Sequence, residues 1–191
     1  DRDFAPLQSL DAFPGNLPFQ LTSFIGRERL LERVINALRN ARVVTLTGVG
    51  GVGKTRLALQ VAGEILPQYR DGAWLCELAG VRDGNAAPDA VAAVFDVRPR
   101  AGQELTQSLV EFFRTKELLL VLDNCEHIVQ PVARLVTSIE RACRGVQVLA
   151  TSREGLDIDG EHILIVSSLD LPDERADLDT IDRSAAVRLF V

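Results

Sequence analysis

Four short runs of this chain carry apolar or β-branched residues with almost no polar interruption. They are Arg42–Thr47 (RVVTLT), Ala73–Leu78 (AWLCEL), Leu118–Asp123 (LLLVLD) and Val146–Thr151 (VQVLAT). A strand with one wetted face alternates apolar and polar residues, so a strand that is apolar throughout must be covered on both faces. Between these runs the spacing becomes helical. Leu30, Leu31, Val34, Ala37 and Leu38 recur at i, i+1, i+4, i+7 and i+8 with charges opposite. Leu57, Ala58, Val61, Ala62 and Ile65 form a second apolar stripe, stopped by Pro67. Ala86–Phe95, Gln103–Phe113 and Val129–Cys143 read as further helices, and Ile163–Val166 as a last short strand. The alternation predicts an α/β fold with a parallel sheet packed between helices.

The flanks read differently. Residues 1–20 hold Pro6, Pro14 and Pro18 with Gly15-Asn16 and no sustained period, the pattern of a linker or extended arm. Asp170–Arg183 carries six acids against two arginines and reads as a solvated connector, after which Ser184–Val191 opens a helix. The expected organisation is an arm over 1–20, one domain over 21–168, and a connector with the start of a helical domain over 169–191. The chain has no Met, so it is expected to be a piece of a longer product.

Bulk composition excludes several classes. A net charge of −6 leaves no basic footprint for nucleic acid or an anionic membrane. No apolar run approaches the ~20 residues of a membrane span, and no signal peptide is visible. Cys76, Cys125 and Cys143 lack CxxC or zinc spacing and read as reduced, buried thiols of a cytoplasmic protein. His127 and His162 are too isolated to suggest a metal cluster. Of 21 basic residues only Lys54 and Lys116 are lysines. Arginine dominance is a compositional background against which each lysine stands out.

Lys54 falls in Gly48-Val49-Gly50-Gly51-Val52-Gly53-Lys54-Thr55, a match to G-x-x-x-x-G-K-[ST] with a strand before it and an amphipathic helix after it. Glycines at these positions let backbone N–H groups converge on phosphate oxygens, and the following helix adds its positive end. Lys54 would reach β- and γ-phosphates as a point charge, which a planar guanidinium does not replace, and the Thr55 hydroxyl would ligate Mg²⁺. A glycine-rich turn that binds nothing is the bland alternative. Lys116, at a helix–strand junction, reads as structural.

Leu118–Asp123 delivers one carboxylate at the carboxyl end of a strand, the edge at which open α/β sheets hold ligands. Asp123 would complete the metal site with Thr55; alone, it could equally cap the next helix. Val146–Thr151 repeats the design and ends in Ser152-Arg153, where Arg153 could reach a γ-phosphate or simply pair with Glu154 or solvent. Tyr69 and Trp74 read as packing residues.

With these motifs in hand the chain resembles the nucleotide-binding core of STAND-class P-loop NTPases, the NB-ARC-like ATPases of large bacterial LuxR-type regulators. The resemblance runs from about Leu17 to Val191. It rests on Phe24-Ile25-Gly26-Arg27-Glu28, Thr45-Leu46-Thr47-Gly48 through Thr55-Arg56, Leu120-Val121-Leu122-Asp123-Asn124-Cys125-Glu126-His127 and Leu149-Ala150-Thr151-Ser152-Arg153-Glu154. It implies a three-layer α/β/α sandwich with a five-stranded, mostly parallel sheet in the order 5-1-4-3-2. It also implies that Ile25, Gly26 and Arg27 line adenine and ribose, with Gly48, Gly50, Gly51, Val52, Gly53, Lys54, Thr55 and Arg56 around the phosphates of ATP or ADP. Lys54, Asp123, Glu126 and Arg153 would carry the chemistry, and Thr55 and Asp123 the Mg²⁺.

The parent would be a multidomain signalling protein with further helical, winged-helix and helix-turn-helix domains beyond this piece, and sometimes an upstream nucleotide cyclase. Nucleotide-dependent self-association would follow, with neither nucleic acid nor membrane bound by this piece. Two positions depart from the family pattern. Leu30 stands where relatives carry an acid, and Asn124 follows Asp123 where many carry the carboxylate thought to activate water. Glu126 is the nearest carboxylate that could substitute. The expected function is a Mg·ATP/ADP-dependent switch with slow hydrolysis; a small-molecule phosphotransferase and a nucleotide-holding scaffold without turnover are the alternatives.

Overall fold

The computed structural model of the chain describes residues 13–18, 26–81, 86–100 and 102–168. The elements run α1 (Glu28–Asn40), β1 (Val43–Thr47), α2 (Lys54–Ile65), β2 (Ala73–Glu77), α3 (Ala87–Val94), α4 (Leu105–Phe113), β3 (Leu118–Asp123), α5 (Val129–Ala142), β4 (Val146–Ser152) and β5 (Glu161–Ile165). Short 3-10 turns cover Leu66–Gln68 and Cys125–His127. The five strands form one sheet in the order β2-β3-β4-β1-β5, and every pairing is parallel. Read from the other side this is 5-1-4-3-2, the expected order, with the sheet wholly parallel.

Alternation along the strands sorts the side chains into two apolar layers. Leu118, Leu120 and Leu122 of β3 join Val43, Cys76, Val146, Val148 and Ala150 in a core covered by α3, α4 and α5. Leu119 and Val121 join Val44, Leu46, Leu75 and Leu149 in a second core under α1 and α2. Both faces of β3 are fully buried, which is why its sequence is apolar throughout. Each buried leucine contributes about 2 kcal/mol by removal from water. Phe95 closes the first layer against Trp74, Phe112 and Phe113, with ring centroids 4.9 to 5.6 Å apart.

Several lone polar residues turn out to be joints. Lys116 lies 3.0 Å from Asp71, which also accepts the Glu117 N–H and pairs with Arg70. The Glu117 N–H, helped by Lys116 and Arg70, holds the Asp71 carboxyl down at about 2. The Tyr69 hydroxyl donates to Gln147 at 2.5 Å, and burial pushes its pKa up to about 12. Cys76, Cys125 and Cys143 are all free and buried; burial raises each thiol, Cys76 to about 11.

Differences from the sequence reading sit at the rims. β5 starts at Glu161, two residues before the apolar run, because it is an edge strand whose His162, Ile163 and Ile165 face outward. At the opposite rim, part of the expected arm lies along β2. Gly15 bridges Ala73 in parallel, Ala73 N–H donates to Pro14 O, and the Asn16 amide both accepts from Leu75 N–H (2.6 Å) and donates to Leu75 O (2.9 Å). Ile25, the rest of the arm, the connector and the expected helix at Ser184–Val191 lie outside the described residues. No helix among the described residues is long and apolar enough to cross a membrane.

Candidate functional site

β1, β3 and β4 lie side by side with their carboxyl ends together, so three loops converge at one edge of the sheet. The loop from β1 to α2 contains the glycine motif. Gly48 adopts φ +151, and a Cβ there would overlap the Val166 carbonyl oxygen. Gly53 caps α2 in the left-handed region at φ +91. α2 has neither a side-chain cap nor an acid in its first turn, so its positive end opens into the loop. The Lys54 ammonium folds back over the loop and donates to Gly48 O at 2.8 Å and Val49 O at 3.0 Å.

The strand ends meet at Asp123, which is 8% exposed. Its Oδ1 accepts the Thr55 hydroxyl at 2.7 Å and the Thr151 hydroxyl at 2.6 Å. Thr151 Oγ1 in turn accepts the Asn124 N–H at 2.9 Å, joining the ends of β3 and β4. Asn124 takes φ +66, a left-handed conformation that asparagine tolerates better than most residues. Glu126 lies in the turn that follows, and its Oε1 is 3.3 Å from Arg153 Nε.

These groups surround an open cleft of about 490 Å³. Gly50, Gly51, Gly53, Lys54, Thr55 and Arg56 line one side, and Asn124, Glu126 and Thr151 the other. Gly48 lies beneath, at the strand end. The Val52 side chain packs into the apolar layer, so only its backbone can face the cleft. Arg27 lies against the Gly53 end of the loop and donates to Ser167 O at 2.8 Å; burial lowers its pKa. Gly26 is exposed, with its N–H bonded to Glu28.

Sequence reasoning missed three contributors. The sequence marks Thr151 only as the end of a strand; the register of β4 on β3, Leu122 against Ala150, is what sets its hydroxyl on Asp123. Pro18 and Leu59 also line the cleft, as an apolar wall. Pro18 lies beyond the Asn16 contact with β2, and no pattern in the arm marks it.

The donor set fits a hard divalent cation bridged to phosphate. A buried carboxylate whose Oδ1 accepts two neutral hydroxyls holds a negative charge for which neither partner compensates. One hydroxyl and one carboxylate are few ligands, which suits Mg²⁺ that keeps waters and shares phosphate oxygens. Among the described residues no cluster of three or more His, Cys, Asp or Glu could hold a metal by protein ligands alone.

A parallel sheet in this order, with a glycine loop between β1 and α2 and Asp123 at the end of β3, defines the P-loop NTPase fold. Residues 6–168 match the family described as Novel STAND NTPase 1, and the chain belongs to that family. An uncharacterized Mycobacterium tuberculosis protein is 36% identical over 168 residues, spanning 88% of this chain and 42% of its own length. A second M. tuberculosis protein, named as an HTH-type transcriptional regulator, is 37% identical over 151 residues, 79% of this chain and 17% of that protein. The chain thus spans less than half the length of these relatives. The STAND protein with a tetratricopeptide repeat sensor from Pyrococcus horikoshii shares the fold at a TM-score of 0.63 and 17% identity. The match covers 87% of this chain and 28% of that one.

Proposed function

We propose that this domain is a Mg·ATP/ADP-binding module that acts as a nucleotide-dependent switch in a multidomain regulator and hydrolyses ATP slowly. The observation that carries the reading is the 2.7 Å bond between Thr55 and Asp123, with Lys54 folded over the same loop. The hydroxyl and carboxylate suited to a phosphate-bound cation meet at the strand ends, and the ammonium suited to the phosphates lies over the adjoining loop.

Each residue then has a task. Backbone N–H groups of Gly50 to Thr55 and the start of α2 would bind the phosphate chain. Lys54 would exchange its two carbonyl partners for phosphate oxygens. Thr55 and Asp123 would hold Mg²⁺, which when bound supplies charge neutralisation of the phosphates. Pro18 and Leu59 offer the base an apolar wall, with Gly26 and Arg27 beside the ribose. Asn124 carries no group that accepts a proton at neutral pH, which leaves Glu126 to take one from water. A switch follows because contacts to the terminal phosphate exist in one nucleotide state only, and those contacts bias the domains that surround this core in the longer protein.

A fluorescent ADP analogue titrated against wild type and Lys54→Ala tests the assignment. Loss of at least about tenfold in affinity is expected, equivalent to ~1.4 kcal/mol. Equal affinities would remove the phosphate loop from the account. A scaffold that binds without turnover is the second reading, favoured by Asn124 and by the engagement of Glu126 with Arg153. Phosphate release by the full-length protein, compared with Glu126→Gln, separates the two.

A further inference from the structure

One ion pair at the cleft has a geometry that nucleotide binding alone does not explain. Glu126 follows β3 and Arg153 follows β4, and their side chains meet at 3.3 Å. The two partners are unequal. The Glu126 side chain is 18% exposed and its second oxygen, Oε2, is buried without a hydrogen-bond partner. Arg153 is 68% exposed, and its NH2 lies 3.7 Å from where a Cβ on Gly50 would stand. The guanidinium therefore reaches both Glu126 and the phosphate loop.

We propose that Glu126 sets the preference of this site between nucleoside di- and triphosphate by keeping the Nε edge of Arg153 from the terminal phosphate. The inference rests on the reading of the cleft as a nucleotide site and specifies how that site discriminates. A guanidinium edge binds a carboxylate or a phosphate with similar geometry, but the Nε edge held by Glu126 cannot serve both at once. A diphosphate leaves the Glu126–Arg153 pair intact. A triphosphate that recruits Arg153 through this Nε edge must break the pair, so its free energy is subtracted from triphosphate affinity alone. Because Arg153 is largely exposed, the pair is worth at most about a fivefold factor. The same event frees the Glu126 carboxylate when a terminal phosphate is present, which ties proton acceptance to the triphosphate state.

The full-length protein with Mg²⁺ is titrated with a fluorescent ADP and with a non-hydrolysable ATP analogue. Wild type, Glu126→Gln, Arg153→Ala and the double variant are compared. Glu126→Gln should strengthen the ATP analogue about three- to fivefold and change ADP by less than about twofold. In the Arg153→Ala background the same substitution should change neither. An equal gain with and without Arg153 would overturn the proposal, since Glu126 would then act by plain repulsion of the phosphate. No gain in the wild-type background would overturn it as well. Glu126→Ala, which removes the buried oxygen altogether, serves as a second variant should the glutamine not fold. Undiminished ADP binding by Lys54→Ala would instead strike the nucleotide reading itself, a separate outcome.

Discussion

Asp123→Asn separates a metal role from a structural one, because the structure shows what the substitution keeps. Oδ1 receives both hydroxyls, from Thr55 at 2.7 Å and Thr151 at 2.6 Å, and an asparagine carbonyl oxygen accepts the same two bonds. A bond to a charged acceptor is worth ~1.5–3 kcal/mol against ~0.5–1.5 for a neutral one, so two bonds weaken by about 1 kcal/mol each. Against this, the substitution removes a carboxylate that is only 8% exposed and whose Oδ1 bonds neutral groups, relieving a desolvation cost of similar size. The net change in folding stability is therefore within about 1 kcal/mol of zero, read by urea unfolding. Function should change far more. Mg²⁺ should strengthen binding of a non-hydrolysable ATP analogue to wild type by at least about tenfold, and this enhancement should fall to about twofold or less in the variant. Retained Mg²⁺ dependence would refute the metal assignment. A loss of more than about 3 kcal/mol in stability would refute the argument that the carboxylate charge is dispensable to the fold.

Two further outcomes test the frame around the site. Gly48→Ala puts a Cβ into the Val166 carbonyl at a positive φ, and should cost about 3 kcal/mol of unfolding free energy and weaken ADP binding in parallel; an unchanged unfolding midpoint would contradict the close approach. The Asp71 carboxyl is held at about 2, below its ordinary 3.8, so its contribution is complete above the ordinary value and is lost as pH falls through about 2. After allowance for solvent screening around exposed Arg70 the contribution is about 1 kcal/mol. Asp71→Asn should therefore lower stability by that amount at pH 7 and flatten acid unfolding between about pH 4 and pH 2.

Much of the architecture was legible in particular residues. The six residues Leu118–Asp123 announced a strand buried on both faces, and the structure buries all six. Lys54, Thr55 and Asp123 were found from spacing and strand ends, and the fold brings them together. Strand order came from the resemblance, since local patterns do not encode which strands become neighbours. Order alone does not give register, which is why Thr151 is not legible as a partner of Asp123. The sequence shows Asn124 only as an amide where many relatives carry a carboxylate, whereas its φ of +66 gives the backbone a reason of its own to favour asparagine. The Arg153–Glu126 pair joins two loops, and pairing across loops leaves no periodic trace.

The strap at Phe13–Pro18 has a consequence for how copies of this domain could meet. A twisted sheet has two rims, and an unpaired rim is a template for a strand from another molecule. Here the β2 rim is occupied by Gly15 and Asn16, while no strand among the described residues pairs with the outer side of β5. Strand addition at the β2 rim would therefore have to displace a segment already paired there. Losing the Asn16 clasp would remove two of the bonds to Leu75 that keep the strap in that place. The strap, held by the Gly15 bridge, the Pro14 carbonyl and the Asn16 amide, thus caps one of the two places where the sheet could be extended.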